Sequence, residues 1–175
     1  MAIQGKFVVN NEPFAPLIMY GVGSFSAFSG DGNLRNRGGC TRIVNKGPIP
    51  AGSYWIVDRP RGGLWSKTEA WVSDALSALK GVPSDHAEWF ALYCDDGHID
   101  DYMWVDGVKR GNFRLHPIGG GGISQGCITL QNYSDFQNVR RALLHTVPVP
   151  AGNSGLLAYG RIEVITHGDT CPESR

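Results

Sequence analysis

Glycine and proline interrupt this sequence so often that few stretches are long enough to form a helix. Its 175 residues include 24 glycines and 10 prolines, with clusters such as GDGNLRNRGG and GGGG. Between these turns lie short apolar segments of strand length: GKFVV, SFSAF, GSYWIVD, EWFALYC, YMWVDG, NFRLH and LLAYGRIEVI. The pattern predicts a fold of the α+β class that is mostly β, a β-sandwich or mixed sheet with one or two packed helices.

Two segments have the periodicity of a helix. Residues 66–80 begin with a capping box, Ser66 and Glu69, and carry apolar residues at helical spacing. Residues 134–144, SDFQNVRRALL, predict a second and shorter helix. The length of the chain favours a single domain over residues 1–175.

Charge and hydropathy exclude several classes of partner. Sixteen basic residues balance sixteen acidic ones, so long-range attraction to nucleic acid or to an anionic membrane is not expected. No segment approaches the roughly 20 apolar residues of a membrane span, and the N-terminus lacks the pattern of a signal peptide. We expect a monomer without membrane insertion, made in the cytoplasm.

The strongest chemical signal is RLHPIGGGGISQGCITL, residues 114–130. A cysteine becomes a good nucleophile when a histidine within hydrogen-bond reach takes its proton. His116 and Cys127 are candidates for such a pair. The glycines between them, among them Gly121 and Gly122, allow a loop to bring the two together while a ligand approaches the backbone.

The residues just before the cysteine fit the same chemistry. Gly126 leaves backbone amides free to form an oxyanion hole, and Ser124 could orient the histidine or donate a hydrogen bond to the substrate. Taken singly, each residue has a plainer interpretation, because free cysteines are often buried in cores and GGGG can be a flexible hairpin loop.

The segment HPIGGGGISQGCITL resembles the signature of L,D-transpeptidase catalytic domains, in which a histidine precedes a Ser-His-Gly-Cys stretch. Together with FSAFSGDG and GPIPAGSYWIVDRP, it resembles the small L,D-transpeptidase-like effectors that Gram-negative bacteria deliver through type VI secretion systems into the periplasm of competitors. The resemblance covers about residues 7–165 and leaves 166–175 as a C-terminal tail. It implies an L,D-transpeptidase-like fold that needs no metal or organic cofactor.

The resemblance also implies roles for single residues. Cys127 corresponds to the nucleophile, His116 to the general base, and Ser124 with Gly126 to the residues that shape the nucleophile turn. Gly121, Gly122 and Gln125 would contact the substrate.

The sequence departs from the family at two positions. Gln125 stands at the position of the family's second histidine, and Thr129 at the position of an arginine that often binds the substrate carboxylate. Arg114, two residues before His116 on the same face of a strand, is the candidate replacement. The alternative is that Arg114 is a solvated arginine on a strand.

The implied reaction takes place on peptidoglycan stem peptides. The cysteine would attack the carbonyl that joins meso-diaminopimelate to the terminal D-alanine of a tetrapeptide, and water or an amine would resolve the thioester. The result would be L,D-carboxypeptidase or L,D-transpeptidase activity, used as an antibacterial toxin. A cognate immunity protein and components of the secretion machine are the expected partners. The lack of a signal peptide agrees with such a route.

Two other functions stay open. In a papain-like amidase or endopeptidase of the cell wall, His145 or His167 would serve the cysteine, which would then open a helix, whereas GCITLQN has the pattern of a strand. In a non-catalytic wall-binding module, tryptophans would line a glycan groove, although the pattern around them favours core positions. These tryptophans are Trp65, Trp71, Trp89 and Trp104.

The remaining polar clusters have structural interpretations. CDDGHIDD, residues 94–101, lacks a recognised metal-ligand spacing and predicts a solvated turn between strands. Cys171 in the tail is expected to form a disulfide with Cys40 or Cys94 once the protein reaches an oxidising compartment.

Overall fold

The computed structural model describes residues 1–58, 88–119 and 124–172. Strands dominate these ranges, and one α-helix, α1 (Tyr133–Leu144), accompanies them. The strands are β1 (Ile3–Val9), β2 (Ala15–Met19), β3 (Gly23–Phe28), β4 (Gly52–Val57), β5 (Phe90–Cys94), β6 (Tyr102–Val105), β7 (Val108–Gly111), β8 (Arg114–Pro117), β9 (Ile128–Leu130), β10 (Val149–Pro150) and β11 (Leu157–Thr166).

The main sheet closes on itself. Its order is β1-β2-β3-β9-β8-β5-β4-β11, and a parallel pairing of β11 with β1 completes an eight-stranded barrel to which β10 adds at β11. Strands β6 and β7 form a separate hairpin. Closure pairs both sides of each barrel strand, which leaves few open edges. The predicted α+β fold with a predominant sheet is therefore confirmed.

Alternating side chains fill the interior of the barrel. In β2, for example, every second residue is buried, as expected for a strand with one face on the core. Helix α1 buries Phe136, Val139 and Leu143, which recur at helical spacing and join the same apolar cluster. The helix predicted at 134–144 is thus confirmed, starting one residue earlier. The helix predicted at 66–80 lies outside the described residues.

Most predicted strands are present, with boundary differences. NFRLH forms a strand only from Arg114 onward. The sequence analysis missed β2, β7 and β10. Strand β2 contains Pro16, which weakens a strand signal. The hairpin of β6 and β7 turns at Asp106 and Gly107, both with positive φ, and this Asp-Gly pair is a turn signal that was available in the sequence.

Tryptophan positions correct one expectation. Trp89 is buried, as predicted for a core residue, but Trp104 is 65% exposed. Trp104 alternates with the buried Met103 along β6, so it lies on the outer face of the hairpin. The core interpretation of Trp104 is therefore wrong. Trp65 and Trp71 lie outside the described residues.

A disulfide ties the tail to the body of the protein. Cys171 is bonded to Cys40, which is one of the two partners predicted for it. Cys94, the other candidate, is a free and buried cysteine on β5. Within the described ranges no helix is long and apolar enough to cross a membrane.

The disulfide predicts a measurable contribution to stability. It spans 131 residues of sequence, so its loss in Cys40→Ala or Cys171→Ala is expected to lower the free energy of unfolding by up to about 5 kcal/mol. The double variant should lose no more than either single variant, because all three lack the same bond. Chemical denaturation measures these values.

Alkylation of the denatured protein without reductant provides the control. Two of the four cysteines should be modified in the oxidised wild type. Modification of all four would show that the bond does not form.

Candidate active site

Parallel pairing of β8 with β9 positions the candidate residues. Leu115 pairs with Ile128, and His116 with Thr129. Since side chains alternate along a strand, Arg114 and His116 share a face with Cys127 and Thr129. The opposite face carries Leu115, Ile128 and Leu130, which belong to the main core. Cys127, directly before β9, therefore lies diagonally from His116 on one face of adjacent strands, and diagonal neighbours are within reach of an aromatic ring.

The connection between these strands is unusually short. Parallel neighbours normally need a crossover of a dozen or more residues, whereas residues 118–127 make this return in ten. A chain that reverses its path twice in so few residues favours glycine. Residues 120–123, which include Gly121 and Gly122, lie outside the described ranges, and their contact with substrate stays a prediction.

The ring of His116 is buried and held on two sides. Trp89 stacks on it with ring centroids 4.3 Å apart and an interplanar angle of 19°. Nδ1 lies 2.7 Å from the carbonyl oxygen of Pro117, and Nε2 lies 3.4 Å from Oγ1 of Thr129. Because a carbonyl only accepts, Nδ1 carries a proton, and Nε2 is the accepting nitrogen of the neutral ring.

Cys127 is buried, and its thiol lies 3.8 Å from the carbonyl oxygen of Asn112, to which it donates. Burial raises the pKa of the thiol to about 11. The charge and backbone of Arg114 and the charge of Arg110 act in the opposite direction, while Asp101 adds to the increase. The resting side chain is therefore a neutral thiol at physiological pH.

The turn before Cys127 is fixed by its neighbours. Oγ of Ser124 donates to the carbonyl oxygen of Cys127 at 2.9 Å, so Ser124 holds the backbone of the turn before Cys127. The catalytic roles predicted for Ser124 and Gly126 stay predictions. Gly126 has φ +103°, and a Cβ there would lie 2.6 Å from Nη2 of Arg110 and 2.9 Å from the ring of Phe113. Gln125, between them, is half-buried, and its contact with substrate stays a prediction.

Arg114 is paired rather than solvated. It is 2% exposed, and its Nη1 and Nη2 donate to the two carboxylate oxygens of Asp101 at 2.6 and 2.8 Å. The interpretation of Arg114 as a solvated strand residue is therefore wrong. Its binding of a substrate carboxylate stays a prediction, which Asp101 constrains because it occupies both ends of the guanidinium.

The acidic segment 94–101 is the turn that the sequence predicts. Residues 95–98 are exposed between β5 and β6, and only Asp101 reaches the candidate site. In the part of the chain that the structure describes, no group of three or more His, Cys, Asp and Glu side chains is arranged to hold a metal ion.

Sequence reasoning missed four contributors to this site. Asp101, Arg110 and Trp89 contact it from other strands and turns, so only the tertiary fold brings them near. Thr129 was noted solely as a departure from the family, yet its position two residues after Cys127 on a strand already placed it on the face of the nucleophile.

Gly126→Ala tests how tightly the nucleophile turn is packed. Backbone strain at positive φ should cost about 1–2 kcal/mol of unfolding free energy, and overpacking against Arg110 and Phe113 a further ~1–3 kcal/mol. Gly107→Ala is the matched control, because Gly107 has φ +77° but open space around it. Denaturant titration of both variants measures the difference. Equal losses would contradict the packing argument.

Comparison with known families identifies the family of this chain. The family model of the Tlde1 domain matches residues 23–151, roughly three quarters of the chain, and this range includes His116 and Cys127. No curated protein and no solved structure was found to match significantly. The protein belongs to the Tlde1 domain family, a family of type VI secretion effectors.

Proposed function

We propose that the protein is a cysteine enzyme that modifies the tetrapeptide stems of peptidoglycan, as an L,D-carboxypeptidase, an L,D-transpeptidase that exchanges D-amino acids, or both. The observation that carries the proposal is the placement of Cys127 and His116 on one face of the paired strands β8 and β9, in a chain of an effector family. A buried thiol that shares a face with an oriented imidazole on adjacent strands is suited to acyl transfer.

His116 would act as the general base. The contact of Nδ1 with Pro117 fixes the tautomer that leaves Nε2 able to accept a proton. Stacking on Trp89 restrains the plane of the ring. Such restraint matters because proton transfer requires Nε2 within hydrogen-bond distance of the thiol in the complex with substrate, whereas these distances are often longer without substrate.

In the acylation step, Sγ of Cys127 would form a bond to the carbonyl carbon that joins meso-diaminopimelate to D-alanine. The thiol proton would pass to Nε2 of His116 and then to the amine of the departing D-alanine. A thiol with a pKa of about 11 is neutral at rest, so it needs this base at the moment of attack. Backbone amides at Gly126 and Cys127 are suited to stabilise the oxyanion.

The thioester would then be resolved by one of two acceptors. Water would release a shortened stem with a free carboxylate, and a D-amino acid would attach through its amine and restore the original length. In either case His116 would take a proton from the acceptor and return it to Sγ. Arg114, opposite Cys127, would bind the substrate carboxylate by sharing or displacing Asp101, with Gln125 and the glycines Gly121 and Gly122 lining the site.

As a type VI effector, the protein would act in the periplasm of a target cell. Removal or exchange of the terminal D-alanine depletes the tetrapeptides that serve as donors for cross-linking, which weakens the wall. The producing cell would need an immunity protein, and components of the secretion system would be further partners.

The papain-like amidase is the less favoured alternative. Cys127 is followed by strand β9 and not by a helix. His145 lies at the end of α1, exposed, with Nδ1 2.7 Å from the carbonyl oxygen of Arg141. The papain-like model needs a helix that begins at the cysteine, and strand β9 stands there instead. It also needs a histidine that serves the thiol, whereas His145 contacts a carbonyl group of its own helix.

Mass spectrometry of purified disaccharide-tetrapeptide tests the proposal. The wild type should release one alanine or, with an added D-amino acid, exchange it. Cys127→Ala should abolish the reaction, and His116→Gln should slow it by about 10²–10⁴-fold, as expected for loss of a general base.

His145→Gln and His167→Gln are the matched controls and should retain activity. Loss of activity in either, with retention in His116→Gln, would favour the amidase. An unchanged tetrapeptide with wild type, together with toxicity that survives Cys127→Ala, would favour the binding module.

A further inference from the structure

Arg110 lies inside the protein although it belongs to a short hairpin strand. It pairs with Met103 across the hairpin and is 2% exposed, whereas its neighbour Lys109 points to solvent. An arginine this deeply buried normally has a carboxylate partner, because an unpaired charge is costly to remove from water.

The partners of Arg110 are neutral. Its Nη1 donates to the carbonyl oxygens of Thr41 and Pro48, and its Nη2 donates to the carbonyl oxygen of Gly47 at 3.0 Å. Among the residues that the structure describes, none supplies a carboxylate to this guanidinium. The carbonyl groups accept hydrogen bonds from both terminal nitrogens, but they bring no negative charge, so the described residues provide no counter-ion for Arg110.

The guanidinium packs directly behind the nucleophile turn. A Cβ placed on Gly126 would lie 2.6 Å from Nη2, so the cation touches the residue that precedes Cys127. The side chain also lies over the ring of Phe113, with 5.4 Å between Cζ and the ring centroid. This packing gives the charge a fixed position beside the turn.

Among the described residues, the charged or titratable groups around Cys127 come from three elements. Arg114 and His116 belong to β8, Asp101 belongs to the turn before β6, and Arg110 belongs to β7. The charge of Arg114 is offset by the bidentate Asp101. Arg110 is therefore the cation of this group that has no carboxylate partner among the described residues.

The two side chains influence each other's ionisation in the expected direction. Burial lowers the pKa of Arg110 to about 10, and the negative charges of an ionised Tyr54 and, to a smaller extent, of an ionised Cys127 raise it. At neutral pH Arg110 thus keeps its charge. A buried charge acts through a medium of low dielectric constant, so it stabilises the thiolate of a neighbouring cysteine more than a charge at the surface would.

We propose that Arg110 is a positioning residue whose charge, acting across Gly126, stabilises the thiolate of Cys127 and the oxyanion of the tetrahedral intermediates. This role deepens the proposed function, since it takes Cys127 as the nucleophile. The competing account is mechanical. In that account, Arg110 only fastens the segment 41–48 to the hairpin.

Thiol alkylation separates the two accounts without any substrate. The oxidised Cys94→Ala protein leaves Cys127 as the reactive thiol, since Cys40 and Cys171 are bonded. The rate of its reaction with iodoacetamide, followed by intact mass between pH 6 and 11, reports the fraction of thiolate.

In this background, Arg110→Gln and Arg110→Lys are compared, because both lose the planar fork and only lysine retains the charge. We expect Arg110→Gln to lower the alkylation rate at pH 7 about tenfold, which corresponds to an increase of about one unit in the thiol pKa. Arg110→Lys should recover most of the loss. Arg161→Gln is the matched control, since Arg161 pairs with Asp95 at the surface, and it should leave the profile unchanged.

Two outcomes would overturn the proposal. Unchanged alkylation in both variants, with a lower Tm, would assign Arg110 the mechanical role alone. Equal slowing in the lysine and glutamine variants would mean that the charge is not the cause. If Arg110→Gln does not fold, Arg110→Met replaces it, because methionine keeps an apolar stem without charge.

The tetrapeptide assay distinguishes this inference from the proposed function. Arg110→Gln should lower kcat and leave KM unchanged. A shifted alkylation profile in a protein that leaves the tetrapeptide intact would retain the inference and reject the proposed function.

Discussion

The candidate site depends on the register of β8 and β9. Their parallel pairing sets His116 opposite Thr129. Cys127 lies on the same face, two residues before Thr129. A shift of one residue would move the thiol or the imidazole into the barrel interior, because side chains alternate. The register is fixed by Leu115, Ile128 and Leu130, whose burial in the core would be lost by the same shift. Core packing and chemistry are thus specified by one set of contacts.

The hairpin of β6 and β7 links this site to the rest of the fold. Asp101, just before β6, holds Arg114, and Arg110 in β7 holds the segment 41–48. That segment begins next to Cys40, whose disulfide secures the tail. The two buried arginines therefore connect the hairpin to β8 and to the segment 41–48, which no strand pairing joins to it. The turn before Cys127 lies between these contacts.

Sequence reasoning located elements better than it located partners. Apolar runs between glycines predicted the strands that flank the site, and helical spacing predicted α1. The parallel pairing could not be predicted, because a ten-residue connection normally indicates an antiparallel hairpin. Arg114 was expected to face either substrate or solvent. Its pairing with Asp101 was missed because Asp101 lies in a turn that only the tertiary fold brings close. Arg110 carried no local signal, for its acceptors are backbone carbonyls more than sixty residues away.

Burial of Cys127 has two opposing consequences. It raises the pKa of Cys127, which keeps the thiol neutral and slows its attack on oxidants and disulfides. On the proposed route, the chain must form the bond between Cys40 and Cys171 in an oxidising compartment while Cys127 stays reduced. A neutral, enclosed thiol meets that requirement, and Cys94 has a similarly raised pKa of about 11. On the proposed mechanism, the same enclosure would weaken Cys127 as a nucleophile, so groups inside it would have to activate the thiol. His116 would supply the base, and Arg110, for which the described residues provide no carboxylate partner, would supply the field that stabilises the ionised sulfur.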